Sequence, residues 1–224
     1  MLDIVDAVII IVIIIGILDG MRRGFFKEIV FLLGVILVLF ISYKLRVPIS
    51  TFLYKNLPFF GFGGAFSGVS VLNILLYEII AFLVIFAILY LLLRIIIKIT
   101  GVLEKILKFT IILGFFSKIL GGIVGFIEGY IIVFMFVFIF NQPFIHVSGM
   151  EKSSLVPKIL HNTPVLSSAT KNTQKVIDEV EKLSKDYKNK SSKDFNREAI
   201  EVFIKYDIIT EENVEYLREK GKLD

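Results

Sequence analysis

The sequence predicts an all-α, polytopic membrane protein, with four transmembrane helices followed by a charged, mostly helical tail outside the membrane. Three observations carry this. Of 224 residues, 56% are apolar, against ~45–50% in a soluble domain, and the mean hydropathy is +0.81. Four apolar runs come close to the ~20 helical residues that cross a hydrocarbon core about 30 Å thick. The charges are also segregated, with 14 Lys/Arg and 14 Asp/Glu in residues 142–224, so that the whole excess of +4 falls in residues 1–141. Positive charge placed there orients helices in a bilayer and cannot form a groove for nucleic acid. Composition thus excludes a soluble enzyme. With no cysteine, disulfides, thiol chemistry and zinc-cysteine sites are excluded as well.

The first helix is expected at 4–18, between Asp3 and Asp19-Gly20. It is not a signal peptide, because its start carries Asp3 and Asp6 with no Lys or Arg, and no A-x-A-like site follows. The second is expected at 25–43, the third at 72–97 and the fourth at 119–140, interrupted only by Glu128. Runs longer than 15 residues are too long for ordinary strands. Between the second and third helices, Phe52, Tyr54, Phe59, Phe60, Phe62 and Phe66 alternate with Pro58, Gly61, Gly63 and Gly64. This stretch reads as a loop at the headgroup level or a re-entrant loop lining a pore. Residues 101–116 read as an amphipathic interfacial helix or an extension of the third helix.

Lys and Arg in short loops favour the cytoplasm. Arg22, Arg23 and Lys27 sit in the first turn, and Arg94, Lys98, Lys105, Lys108 and Lys118 lie between the third and fourth helices. Lys44, Arg46 and Lys55 are the three on the opposite side. Both short turns are therefore expected in the cytoplasm, with the N-terminus and the tail extracytoplasmic.

Three groups of residues are candidates for function. Ser117, Gly121, Gly125 and Gly129 recur every four residues, a GxxxG-type face on which a neighbouring backbone can pack closely, from the same chain or another copy. Glu128 and Glu78 are carboxylates inside apolar runs. Each is either a buried hydrogen bond that fixes register or part of a proton or cation relay, Glu78 also being placed to sit at the interface. The first turn holds Gly20, Arg22, Arg23, Gly24, Phe25 and Glu28, in which Asp19 and Glu28 are placed to pair with Arg22 or Arg23.

The pattern Gly20-x-x-Arg23-Gly24-Phe25-x-x-Glu28 resembles the N-terminal signature of the CvpA, or colicin V production protein, family. The run Leu120-Gly121-Gly122-x-x-Gly125-x-x-x-Gly129 is similar to the glycine-rich last membrane helix of that family. The resemblance covers roughly residues 1–145. It implies a bacterial inner-membrane protein linked to toxin production or export and to envelope homeostasis, and it supplies no mechanism. Some relatives carry a serine protease beyond such a domain, on the outer side; this chain lacks it.

In the tail, Pro143, Pro157 and Pro164 mark an irregular connector with one short helix near 153–161. Val176, Val180, Leu183 and Tyr187 give one amphipathic helix at 172–189, and Ile200, Phe203 and Ile204 give another at 196–206. Thr210 is the expected N-cap of a third at 211–220, ended by Gly221. So small a unit is expected to dock on a partner, another copy or the membrane domain. Ser153 or Ser154, His161 and Asp178 are the only ingredients of a hydrolytic triad, without a G-x-S-x-G, and His146 and His161 have no further ligands to complete a metal site. No enzyme activity, cofactor, metal or nucleic-acid partner is expected. The expected partners are the lipid bilayer and either further copies or other envelope membrane proteins, and the expected role is a scaffold or accessory factor. The alternative is a transporter or channel component using the fourth-helix carboxylate.

The orientation predicts a labelling pattern in a chain without native cysteines. An impermeant thiol reagent added to cells should modify Ser153→Cys and spare Lys105→Cys; the reverse pattern would invert the topology.

Overall fold

A computed structural model of the chain describes residues 3–62, 69–99, 114–142, 145, 147, 149–163, 166–167, 174–180, 182–183 and 192–223. The protein is all-helical over these residues. The helices are α1 (Ile4–Arg23), α2 (Phe25–Asn56), α3 (Leu72–Ile99), α4 (Gly114–Phe140), α5 (Leu155–His161), α6 (Ser192–Lys205) and α7 (Glu211–Glu219). The first four are long and apolar enough to cross a membrane.

Three of the four membrane helices differ from expectation by five residues or more. α1 runs five residues beyond Leu18 and stops only at Gly24, whose φ of 77° is open to glycine and whose N–H closes on the Gly20 carbonyl. Gly20 does not break the helix because its missing Cβ is needed for packing. α2 continues past Tyr43, through Pro48, to Asn56; a proline is tolerated in a membrane helix where its surroundings satisfy the freed carbonyl. At 1.5 Å per residue its 32 residues measure about 48 Å, well over a hydrocarbon core of about 30 Å. α4 starts at Gly114, so Ser117 is helical. Of the stretch 101–116, residues 101–113 lie outside the described residues, and 114–116 form the first turn of α4.

The chain divides into two compact units, and α2 and α3 each contribute to both. The first unit comprises Met1–Tyr43, Val84–Asn141 and Val147–Leu166. Asp3 caps α1 by accepting the Ile4 N–H at 2.7 Å. α1 packs along α4, and α5 folds back so that Val156 and Ile159 join Ile9, Val133, Phe134 and Val137 in one apolar cluster. Tyr130 on α4 meets the Thr163 hydroxyl at 2.6 Å just past α5. Gly34 on α2 leaves room for Leu93 on α3, whose Cδ1 would lie 2.7 Å from an added Cβ.

The second unit comprises Lys44–Leu83, Gln142–His146 and Ser167–Asp224. Its core joins Tyr54 of α2 and Leu72, Ile74 and Tyr77 of α3 to Val176 and Val180 of the helical segment 174–180, to Phe195, Ala199, Ile200 and Phe203 of α6, and to Val214 and Leu217 of α7. The tail thus docks on the adjoining ends of α2 and α3. Tyr187 of the expected 172–189 helix lies outside the described residues. Thr210 caps α7 by accepting the Asn213 N–H at 3.3 Å. Asp207, at φ 55°, turns the chain between α6 and α7; Asp is among the few residues that enter this conformation readily.

Of the aromatic-glycine connection, Gly63, Gly64 and Phe66 lie outside the described residues, and residues 58–62 are held within the same unit. The Asn73 amide accepts from the Phe60 N–H at 2.7 Å and donates to the Phe60 and Ser70 carbonyls, and the Tyr77 hydroxyl donates to the Pro58 carbonyl at 2.6 Å. Phe59 and Phe62 pack on the core while Phe52 and Phe60 are exposed. The Val71 N–H donates to the Asn196 side chain at 3.3 Å. Lys222 donates to the carbonyls of Tyr54, Lys55 and Leu57 at 2.7–2.9 Å, placing a cation at the negative end of the α2 dipole. On the outer side of α6, the Tyr206 hydroxyl and the Lys205 ammonium donate to Glu179 and hold its carboxyl below the usual range.

Phe203 is fully buried, so Phe203→Ala should cost about 3–5 kcal/mol. Hydrogen exchange should rise across 192–219, whereas the exposed Glu212→Ala should leave it unchanged.

Candidate functional site

The site is built on a contact between glycines. Gly16, Gly20 and Gly24 stand four residues apart on α1 and its C-cap, and they face Gly121 and Gly125 on α4. A Cβ at Gly16 would lie 2.6 Å from the Gly125 carbonyl oxygen; one at Gly20 would strike the carbonyl of Gly121, and one at Gly125 that of Gly16. These contacts are backbone on backbone, so no side chain can swing aside. Gly122 is less constrained, with the flexible Met21 as its nearest neighbour, and Gly129 has only ordinary contacts, at 3.5 Å and beyond. Ser117 accepts the Phe25 N–H at 3.2 Å and lies against Gly24. The glycine face of α4 therefore has its partner within the chain, in α1. The spacing of Gly16, Gly20 and Gly24 was visible in the sequence, but a turn reading of Gly20 and Gly24 hid it.

Three residues beyond Gly20, Arg23 becomes the hub. Its Nη1 lies 3.0 Å from Glu28 Oε2 and 3.6 Å from Glu128 Oε2, and its Nη2 lies 3.4 Å from Asp19 Oδ2. Its Cζ sits 4.3 Å from the centre of the Phe31 ring, a cation–π contact in a water-poor setting. Three helices, α1, α2 and α4, are thus tied by one guanidinium. Arg22, by contrast, is 81% exposed and reaches only Asp19, at 3.8 Å; an exposed pair of this kind contributes about 0–1 kcal/mol. From α3, Tyr90 packs edge-on against Phe31, and Arg94 donates to the Tyr90 hydroxyl at 3.1 Å.

Glu78 belongs to the second unit, where Arg46 Nε lies 3.4 Å from its Oε2. That pair ties α2 to α3. Glu78 and Glu128 therefore have separate partners.

Asp6, unassigned in the sequence reading, is 1% exposed and anchors the other end of the first unit. Its carboxylate accepts from the Ser153 hydroxyl, from the Ser154 hydroxyl at 3.1 Å, and from the N–H groups of Ser154 and Leu155 at 3.3 and 3.2 Å. It caps α5 from a different helix. Ser153 and Ser154, weighed as nucleophiles, are donors to this carboxylate. His161 lies at the end of α5, Asp178 belongs to the second unit and His146 lies outside the described residues. Among the described residues no group of three or more His, Asp or Glu side chains is disposed to hold a metal ion. Because Ser153 is buried, the labelling position in place of Ser153 is the exposed Glu151.

The family model for colicin V production protein matches residues 5–164. The chain belongs to the colicin V production protein family. The match extends beyond residue 145, where the motif resemblance ends, and takes in Asp6, the glycine contact, the Arg23 cluster and α5. The second unit draws residues 44–83 and 142–146 from it and residues 167–224 from beyond it. No curated protein and no solved structure matches the chain.

The glycine geometry separates two substitutions of the same size. Gly20→Ala should destabilise the protein by about 3 kcal/mol, the upper range for overpacking, whereas Gly129→Ala should be within about 0.5 kcal/mol of wild type. Thermal unfolding in detergent followed by circular dichroism measures both; equal effects would refute the backbone contact.

Proposed function

We propose that this colicin V production-type protein is a scaffold or accessory factor in the bacterial inner membrane, serving toxin production or export and envelope homeostasis. The observation that carries this reading is the use made of the polar groups. Arg23, Glu28, Glu128 and Asp6 join helices or cap them within the first unit, and in the second unit the tail packs on α2 and α3 with charged residues exposed, among them Glu201, Glu212 and Glu215. Polar groups spent on joining helices, together with a folded tail whose charges are exposed, fit recruitment of other envelope proteins, and catalysis is no part of the proposal. The N-terminus and tail are placed outside the cytoplasm on the charge asymmetry of the loops. Self-association would use a face other than the glycines of α4, which α1 occupies; the bilayer is the remaining partner, and no role in nucleic-acid binding is assigned.

The second reading, a transporter or channel component, is favoured by one feature, the presence of two buried carboxyls, Glu28 and Glu128, beside a single arginine.

Two variants separate the readings. Charge reversal at Glu201, Glu212 and Glu215 to Lys should abolish capture of envelope proteins by the full chain in a pull-down while its circular dichroism stays unchanged; undiminished capture would remove the tail surface from the proposal. Glu128→Gln should keep both assembly and solute flux; flux lost with assembly intact would favour the transporter.

A further inference from the structure

Arg23 is approached by three carboxyl groups, Asp19 at Nη2 and Glu28 and Glu128 at Nη1. Asp19 is 36% exposed, so water screens it, but the side chains of Glu28 and Glu128 are 0% and 7% exposed. Both glutamates approach the same nitrogen, Nη1, at 3.0 and 3.6 Å, which brings their carboxyl groups together on one donor. An ionised carboxylate is an acceptor only. Two that face one another form a bond only when one of them keeps a proton. A second uncompensated charge held away from water would cost several kcal/mol by rough estimate. Glu28 Oε1 is moreover buried and has no hydrogen-bond partner among the described residues, so among them this pair has acceptor capacity to spare.

The other charged and titratable groups facing the pair do not remove the deficit. From α1 they are Arg23 and Asp19, and from α3 Tyr90 and Arg94, the latter exposed and donating to the Tyr90 hydroxyl. A metal cation is a poor occupant. Hard cations take six or more oxygens, no group of three or more suitable side chains occurs among the described residues, and the guanidinium 3.0–3.6 Å away would repel one.

We propose that Glu28 and Glu128 share a single proton, and that the pair, held on Arg23, is a proton-binding site. With the proton present, the cluster is one guanidinium against one buried carboxylate and one carboxylic acid that donates to it. When the proton leaves, two buried carboxylates compete for Nη1 and the tie between α1, α2 and α4 loosens. The half-exposed Asp19 and the 25% exposed Arg23 side chain mark the side from which water exchanges the proton. The site stands whether the protein recruits partners or moves solutes, since the test reads the proton itself.

Infrared difference spectroscopy on the full chain in lipid nanodiscs measures it. At neutral pH the wild type should show the carbonyl stretch of a protonated carboxylic acid, shifted by deuterium exchange and lost as the pH is raised. Glu28→Gln and Glu128→Gln should each lose the band, because the remaining carboxylate ionises against Arg23, and Glu78→Gln should keep it. Absence of the band from the wild type, or its survival in either of the first two variants, would overturn the proposal. Should one variant fail to fold, the other and the wild-type titration still decide.

Discussion

The first unit depends on the contact of Gly16 and Gly20 with Gly121 and Gly125. In a bilayer, apolar side chains gain nothing by leaving lipid for one another, so helices are held by dispersion at short range and by polar groups that find partners. Only glycine allows the backbones of α1 and α4 to come so close. The contact also sets position: Arg23 stands three residues beyond Gly20 and Glu128 three beyond Gly125, so the register that fits the glycines brings the two charges together. A shift of one residue along either helix would put a side chain against backbone and separate the ion pair.

A buried ion pair is weak evidence for net stability, since desolvation offsets most of the attraction, yet removing one partner is costly because the other remains buried and uncompensated. The Arg23 cluster is accordingly better described as a constraint on which arrangement is tolerated than as a source of stability. It accepts one geometry of α1, α2 and α4 and penalises alternatives. The same holds for Arg46 and Glu78 in the second unit, where the pair fixes α2 against α3 while apolar burial around Tyr54, Tyr77 and Phe203 supplies the cohesion.

Much of this was legible in the sequence. Hydropathy located the four membrane helices, because the requirement for ~20 apolar residues leaves few alternatives, and Thr210 announced α7 through local capping chemistry. Helix ends were less legible. Asp19-Gly20 and Pro48 are ordinary stop signals in water, but Asp19 pairs along α1, Gly20 serves packing and a membrane environment tolerates the proline. Long-range polar contacts were hidden for a different reason: a serine pair before a short helix looks the same whether its hydroxyls face solvent, a substrate or Asp6. The pairing of Glu28 with Glu128 needed a register between distant helices that periodicity does not contain.

Asp6 and Ser153 are 147 residues apart. A ribosome adding ~5–20 residues per second makes the acceptor on the order of ten to thirty seconds before its donors. During that interval the first helix carries an unsatisfied carboxylate near its start, and its glycine face awaits α4. A segment made well before its partners is therefore completed only when they emerge, and until then α1 is exposed to insertion machinery or to membrane proteases.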